Sequence, residues 1–483
     1  MSFNEIFPNY PKSWRSLTLG ELAKESSGSI QTGPFGSQLH ASDYVECGIP
    51  SIMPKNISVD GVLKNDIAQI KPEDAERLEK YRVRLGDIVY SRRGDVEKCC
   101  LITEKEDGWL CGTGCLRVRI PADNLLQQYI HAYLCHPLVR SWVVRHAIGA
   151  TMPNLNTSIL SALPVLIPAA KEMQRIVEIW SAVSKKITLN TQINQTLEQM
   201  AQALFKSWFV DFDPVIDNAL EAGNPIPELL VERAERREAM WAEESAKAPA
   251  RLPAETRRLF PDRFEEDKVL GWVPKGWVTK PVSQTIEINP KAKLSKGTIA
   301  KYADMKSVPT TGYMIDGFIE KPYSGGAKFE SGDVLLARIT PCLENGKTAL
   351  VDFLDENEVG FGSTEFVVMR GKGELGTPYV ACLARWEEFR KHCIQSMVGS
   401  SGRQRIQNAS FDSFYVVMPE NRQLLTLFDY MCGANFRIMT EYRKQTETLI
   451  KLRDTLLPKL LSGELQLPEA EVAVETALET EFA

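Results

Sequence analysis

The sequence predicts an α+β protein: two tandem mixed α/β domains separated by two long helices that pair as an antiparallel coiled coil with a pseudo-twofold axis. Three observations lead there. A stretch free of Pro and Gly, Lys171 to Trp208, carries apolar and amide side chains at alternating spacings of 4 and 3, which draws one stripe down a helix. The same stripe recurs 252 residues later, carrying Ile176 to Phe428 and Leu197 to Leu449. Short β-like runs precede each stripe in the same order, so the chain reads as a duplication too short to be a solenoid.

Residues 1–168 form the first domain. Its β-like runs are GIPSIM from Gly48, GDIVYSRRG from Gly86, CLRVRI from Cys115 and LPVLIP from Leu163, with helical patches PEDAERLEKYR from Pro72 and LLQQYIHAYLCHPLVRSWVVRH from Leu125. The first long helix spans 169–210 and, at 1.5 Å per residue, its uninterrupted part runs roughly 57 Å. A charged connector follows over 211–270, where Pro214 prevents helical continuation and ELLVERAERREAMWAEESAK reads as a surface helix. The second domain covers 271–419. PKSW is answered there by PKGW, GDIVYSRRG by GDVLLARIT, Gly149 by Gly399, and LPVLIP by FYVVMP. The second long helix spans 420–463 and an acidic tail 464–483. The seam of the helix pair is expected at Ile176, Trp180, Val183, Ile187, Leu197 and Leu204 against Phe428, Met439, Leu449 and Leu456, with polar members such as Asn190 and Asn194 fixing register.

Composition excludes several classes. At 483 residues, 43% hydrophobic and 25% charged, the chain can bury two or three cores and is not disordered throughout. No apolar run is long enough to span a membrane and the N-terminus lacks a signal segment, so a cytoplasmic protein with reduced cysteines is expected. Cys99, Cys100, Cys111, Cys115, His131, Cys135 and His136 cluster along the chain without paired CxxC spacing, so no metal site is expected among them. The net charge of −6 is carried by the tail, whose six glutamates have no basic counterpart. The rest is balanced, and charge alone decides nothing about nucleic acid.

The motifs QTGPFGSQL from Gln31, the GDI and GDV strands followed by Arg, the EMQRI long-helix run, FVDFDP from Phe209, LFPDRFEEDKVLGWVPKGW from Leu259 and LRDTLLPKLLSGEL from Leu452 are similar to those of type I restriction-modification specificity subunits. They cover nearly the whole chain in that family's order. The resemblance implies two target recognition domains, each reading one half of a split, asymmetric sequence in double-stranded DNA. It implies helices that act as spacers and dock two methyltransferase subunits, and a larger complex with restriction and translocase subunits. S-adenosylmethionine, ATP and Mg²⁺ would sit on those partners, and this chain would bind no cofactor and perform no catalysis within an adenine-N6 methyltransferase and ATP-dependent endonuclease. The alternative is a coiled-coil scaffold with protein-binding domains.

Catalytic motifs fail on inspection. PCLENGKT from Pro341 ends like a phosphate-binding loop but has Pro where the first Gly is needed. GFGS from Gly360 suits a turn, and the Asp-Pro-Val at Asp213 lacks the aromatic pocket that holds a flipped base. DNA contacts are therefore sought in Gly-bearing loops with Arg, Lys, Asn, Gln or Ser. In the first domain these are Thr32, Ser37, Gln38, Arg92, Arg93, Asn154 and Asn156; in the second, Arg338, Asn345, Lys347, Ser400, Ser401, Arg403, Gln404 and Arg405. For GPFGS the competing reading is a turn that closes a sheet with Phe35 in the core.

Overall fold

The computed structural model describes residues 10–64, 66–149, 153–242, 252–400 and 402–462. Ser401 and the acidic tail lie outside the described residues. The chain divides into two compact units, one of residues 1–189 with 445–483 and the other of residues 190–444. Each unit therefore contains one half of each long helix, a division that a domain-by-domain reading along the sequence does not anticipate. No helix among the described residues is long and apolar enough to cross a membrane.

In the first unit, PKSW leads into strand Arg15–Thr18, which pairs antiparallel with Pro164–Ile167, the strand of LPVLIP. A four-stranded antiparallel sheet follows the order Ser29–Thr32, Cys115–Arg119, Ile88–Ser91 and Cys99–Leu101. A second sheet contains the parallel pair Ile49–Ile52 and Leu110–Cys111. The predicted long helical patch breaks at Pro137 into Asn124–Leu134 and Pro137–His146, as a proline at the first helical position requires. Tyr129 and Tyr133 donate their buried hydroxyls to the carbonyls of Leu166 and Pro164, at 2.7 and 2.9 Å, and so tie helix to strand.

The second unit repeats this plan. PKGW opens strand Trp277–Pro281, which pairs with Tyr415–Pro419. The four-stranded sheet runs Ile286–Ile288, Phe366–Gly371, Val334–Ala337 and Thr348–Leu350, and the parallel pair is Ile299–Ala303 with Val359–Gly362. GFGS, expected as a turn, thus supplies a strand. Its glycines serve close packing: a Cβ on Gly362 would lie 2.8 Å from the Ala303 carbonyl and 2.7 Å from the Phe366 ring.

The long helices are Ala170–Phe209 and Arg422–Ser462, of 40 and 41 residues. In the first unit Ile176, Trp180, Val183 and Ile187 are buried in one core with Leu449 and Leu456. Arg453 lies over the Trp180 ring at 5.3 Å. In the second unit Phe428 and Met439 are buried, but Leu197 and Leu204 are only half-buried. The buried residues there are Ala201, Phe205, Trp208 and Phe209. A strict 3.5-residue stripe drifts about 20° per heptad on a straight helix, and this part of the helix also packs on the domain core through Tyr379 and Trp277. The buried face is therefore wider than a coiled-coil seam and displaced from it. Within this unit the two segments run antiparallel: Asn194 donates to the Met439 carbonyl at 3.2 Å, while Phe209 stacks edge-on to Phe428.

Candidate nucleic-acid interface

Both units end their central strand in arginine at the same place. Strand Ile88–Ser91 passes into Arg92 and Arg93, and Val334–Ala337 into Arg338. The Asp that precedes each strand is a brace. Asp87 is buried, accepts the Arg84 N–H at 2.7 Å and takes two hydrogen bonds from Arg119 at 2.8 and 2.7 Å. Asp333 accepts the Glu330 N–H at 2.8 Å and two bonds from Arg370 at 2.6 and 2.7 Å. The GD motif thus fixes the start of the strand whose far end presents the arginine.

A returning hairpin meets that end in each unit. Ile148 and Asn154 exchange backbone hydrogen bonds of 3.0 and 2.9 Å, and the Leu155 N–H donates to the Arg92 carbonyl at 2.9 Å. Val398 and Arg405 exchange two bonds of 3.0 and 2.9 Å, and the Ile406 N–H donates to the Arg338 carbonyl at 2.9 Å. The matched glycines begin the two tips, Gly149 at φ +109° and Gly399 at φ +138°, conformations that side chains disfavour. The residue before each, Ile148 and Val398, is 63% exposed. Neither exposed apolar residue, nor the hairpins' shared hydrogen-bond pattern, was a sequence candidate; the glycine pairing was the one signal available.

The GPFGS loop lies beside the strand-end arginine of the first unit. Phe35 is 52% exposed, not in the core, and the Arg92 guanidinium lies 5.5 Å from its ring. Flanking Pro34 and Gly36 hold the ring in a turn that has no interior to enter. Gly33 is required where the loop leaves the sheet, because a Cβ there would stand 2.1 Å from the Gly112 carbonyl.

The remaining candidates divide between exposed side chains and occupied ones. Ser37, Arg93, Asn345, Ser400 and Arg403 are exposed, and neither Arg93 nor Arg403 forms an ion pair among the described residues. Thr32 is half-buried in its strand. Gln38 is a loop brace, accepting from the Phe35 N–H and the Tyr81 hydroxyl. Asn156 caps helix Thr157–Ser161 by accepting the Ile159 N–H at 2.8 Å. Lys347 donates to the Met305 carbonyl at 2.6 Å, and its loop enters strand Thr348–Leu350 where a phosphate-binding loop would enter a helix. Gln404 bridges Thr340 through its backbone. Arg405 is clamped by Glu365 at 2.8 and 2.6 Å, and that clamp holds the Glu365 carboxyl below its ordinary range. Around Arg92, Arg338 and Asn154 some polar atoms are unspent: Nε of both arginines and Oδ1 of Asn154 have no hydrogen-bond partner among the described residues.

The FVDFDP motif makes a separate structural latch. Phe212 takes a left-handed conformation, and buried Asp213 accepts Nε of Arg233 at 2.6 Å, while Asp217 pairs with Arg237. Helix Val231–Ala242 of the connector supplies both arginines. Asp213 is thus an ion-pair anchor, consistent with the missing base pocket.

Comparison with known proteins finds type I specificity subunits. A profile described as the type I restriction modification DNA specificity domain matches residues 11–199. The specificity subunit of the type I restriction enzyme HindI from Haemophilus influenzae is 24% identical over 94% of this chain and 99% of its own. The chain is thus similar to type I specificity subunits, through the profile over residues 11–199 and through this relative over nearly its whole length. The MjaIX specificity subunit of the type I restriction enzyme of Methanocaldococcus jannaschii is 22% identical over 72% of each chain. A solved type I restriction-modification S subunit from M. genitalium is 13% identical, with a TM-score of 0.46 over 95% of this chain and 98% of that one. Both relatives are named as specificity subunits of type I restriction enzymes.

Proposed function

We propose that the chain is the DNA sequence-recognition subunit of a type I restriction-modification complex, each unit reading one half of a bipartite, asymmetric target. The observation that carries this reading is the twin arrangement of strand-end arginine and glycine-tipped hairpin. The two copies share a backbone plan and differ in side chains: Arg92, Arg93 and Asn154 in one, Arg338 and Arg403 in the other. Arg pairs bidentately with guanine and Asn with adenine in the major groove, so the two readers select different half-sites. The duplicated helical segments dock two methyltransferase subunits, on which S-adenosylmethionine is bound, and restriction subunits join the same assembly.

Methylation mapping on genomic DNA from cells expressing this chain with its cognate methyltransferase subunit is the direct test. The expected result is a split adenine motif that disappears without this chain. Exchanging residues 10–168 for those of a relative is expected to change one half of the motif and leave the other. A change in both halves, or no chain-dependent motif with both proteins folded and associated, defeats the proposal.

Arg403 gives a residue-level expectation. Arg403→Ala is expected to cost about 1 to 3 kcal/mol of binding and to relax one position of the second half-site if the side chain reads a base. Uniform weakening across sequences, with a smaller salt slope, marks a phosphate contact instead. Arg405→Ala is expected to behave differently, because it frees Glu365 and disturbs the hairpin itself.

A further inference from the structure

We infer that Cys99, His131 and Cys135 form a buried binding site for a thiophilic divalent metal, Zn²⁺, with the Tyr90 hydroxyl at the fourth position. Sequence spacing gave no reason to expect it, since the residues come from separate elements. Cys99 opens strand Cys99–Leu101, while His131 and Cys135 stand one helical turn apart at the end of helix Asn124–Leu134.

The two distances from Cys135 fit a tetrahedral ion. Sγ of Cys135 lies 3.9 Å from Sγ of Cys99 and 3.5 Å from Nε2 of His131, and all three ligand atoms lie within 4.8 Å of one another. With Zn–S near 2.3 Å and Zn–N near 2.0 Å, tetrahedral angles place two sulfurs about 3.8 Å apart and sulfur and nitrogen about 3.5 Å apart. Little rearrangement is needed to close the ligands on a metal.

A second observation points to the same space. Tyr90, on the adjacent strand, is fully buried, and its hydroxyl has no hydrogen-bond partner at ordinary geometry. It is the cross-strand partner of Cys99. A buried unspent hydroxyl is costly unless something occupies the gap it faces.

Charge balance supports a metal over bare thiolates. Nε2 of His131 is directed at the Cys135 sulfur. Zn²⁺ entering the site displaces two thiol protons to solvent and leaves a neutral cluster of one dication and two thiolates, which an apolar core can hold. Such a site would staple the central sheet to the helix that Tyr129 and Tyr133 tie to the terminal strand pair. Cys100, Cys111 and Cys115 lie in a different core cluster, with no histidine among its buried members.

The test is metal analysis of the full chain, purified without chelator or a histidine tag. One equivalent of zinc per chain is expected, lost in Cys99→Ser and in Cys135→Ser and kept in Cys47→Ser, whose cysteine is exposed. Because the core variants can fail to fold, cobalt substitution of the unaltered protein is the second readout, with a thiolate-to-cobalt charge-transfer band expected. Protein that stays metal-free after reconstitution with Zn²⁺, a cobalt spectrum without that band, or zinc retained in a folded Cys99→Ser, Cys135→Ser double variant overturns the inference.

Discussion

Trp208→Ala is expected to destabilise the second unit by about 3 to 5 kcal/mol, read as a fall in the denaturant midpoint without loss of the first unit's transition. The indole is fully buried. It meets Phe260 of the connector edge-on at 5.1 Å and Phe428 of the second long helix at 5.8 Å, so one side chain joins three segments. Edge-on aromatic pairs add about 0.5 to 1.5 kcal/mol beyond burial, which places this site at the upper end of the range. Collapse of the neighbours is the only escape, and rigid rings resist it. A loss under about 1 kcal/mol would mean that Phe209 and Phe428 close the hole, and that the helix is held mainly by its other contacts. Half-buried Leu204, one turn away, is expected to cost clearly less when truncated.

The same helix shows what the sequence could and could not convey. The duplication was legible because it is written in local signals: PKSW and PKGW begin strands that pair with LPVLIP and FYVVMP, and the two GD motifs brace equivalent strands. Gly149 and Gly399 were legible as partners because backbone conformation demands them. The register of the first helix after Asn190 was not, since the stripe records periodicity and not which face a domain core occupies. Nor was the fate of polar side chains. Gln38, Asn156 and Arg405 have the residue types of DNA readers, yet each holds a loop, cap or hairpin through partners that are distant in sequence or fixed only by local backbone geometry. Conversely, Phe35 looked like a core residue until its loop was seen to lie open beside Arg92. Cys99, His131 and Cys135 were visible only as scattered residues, because their convergence depends on how a strand and a helix pack.

Asp87→Ala is expected to cost about 3 kcal/mol in the first unit and to abolish reading of the first half-site while sparing the second. The carboxylate is 2% exposed and accepts from Arg119 Nε and a terminal nitrogen and from the Arg84 N–H, so its removal leaves a backbone donor unpaired and a partly buried guanidinium with only the Arg82 carbonyl, at 3.0 Å, as acceptor. The lower end of the range for a broken buried pair applies, because Arg119 is 29% exposed and water can reach it. Arg117, nearly as buried as Asp87, keeps the carbonyls of Lys80 and Arg82 as acceptors and limits the damage further. What links this loss to function is the strand: Asp87 fixes its start, and Arg92 stands at its end, bonded by backbone to the hairpin at Leu155. Methylation mapping separates the outcomes. Loss of discrimination in one half-site, with the other intact and the protein still assembled with its methyltransferase, is the expected pattern. If both half-sites survive in Asp87→Ala despite the lost stability, the strand end does not position the reader, and Arg92 is a half-buried cation with no part in recognition.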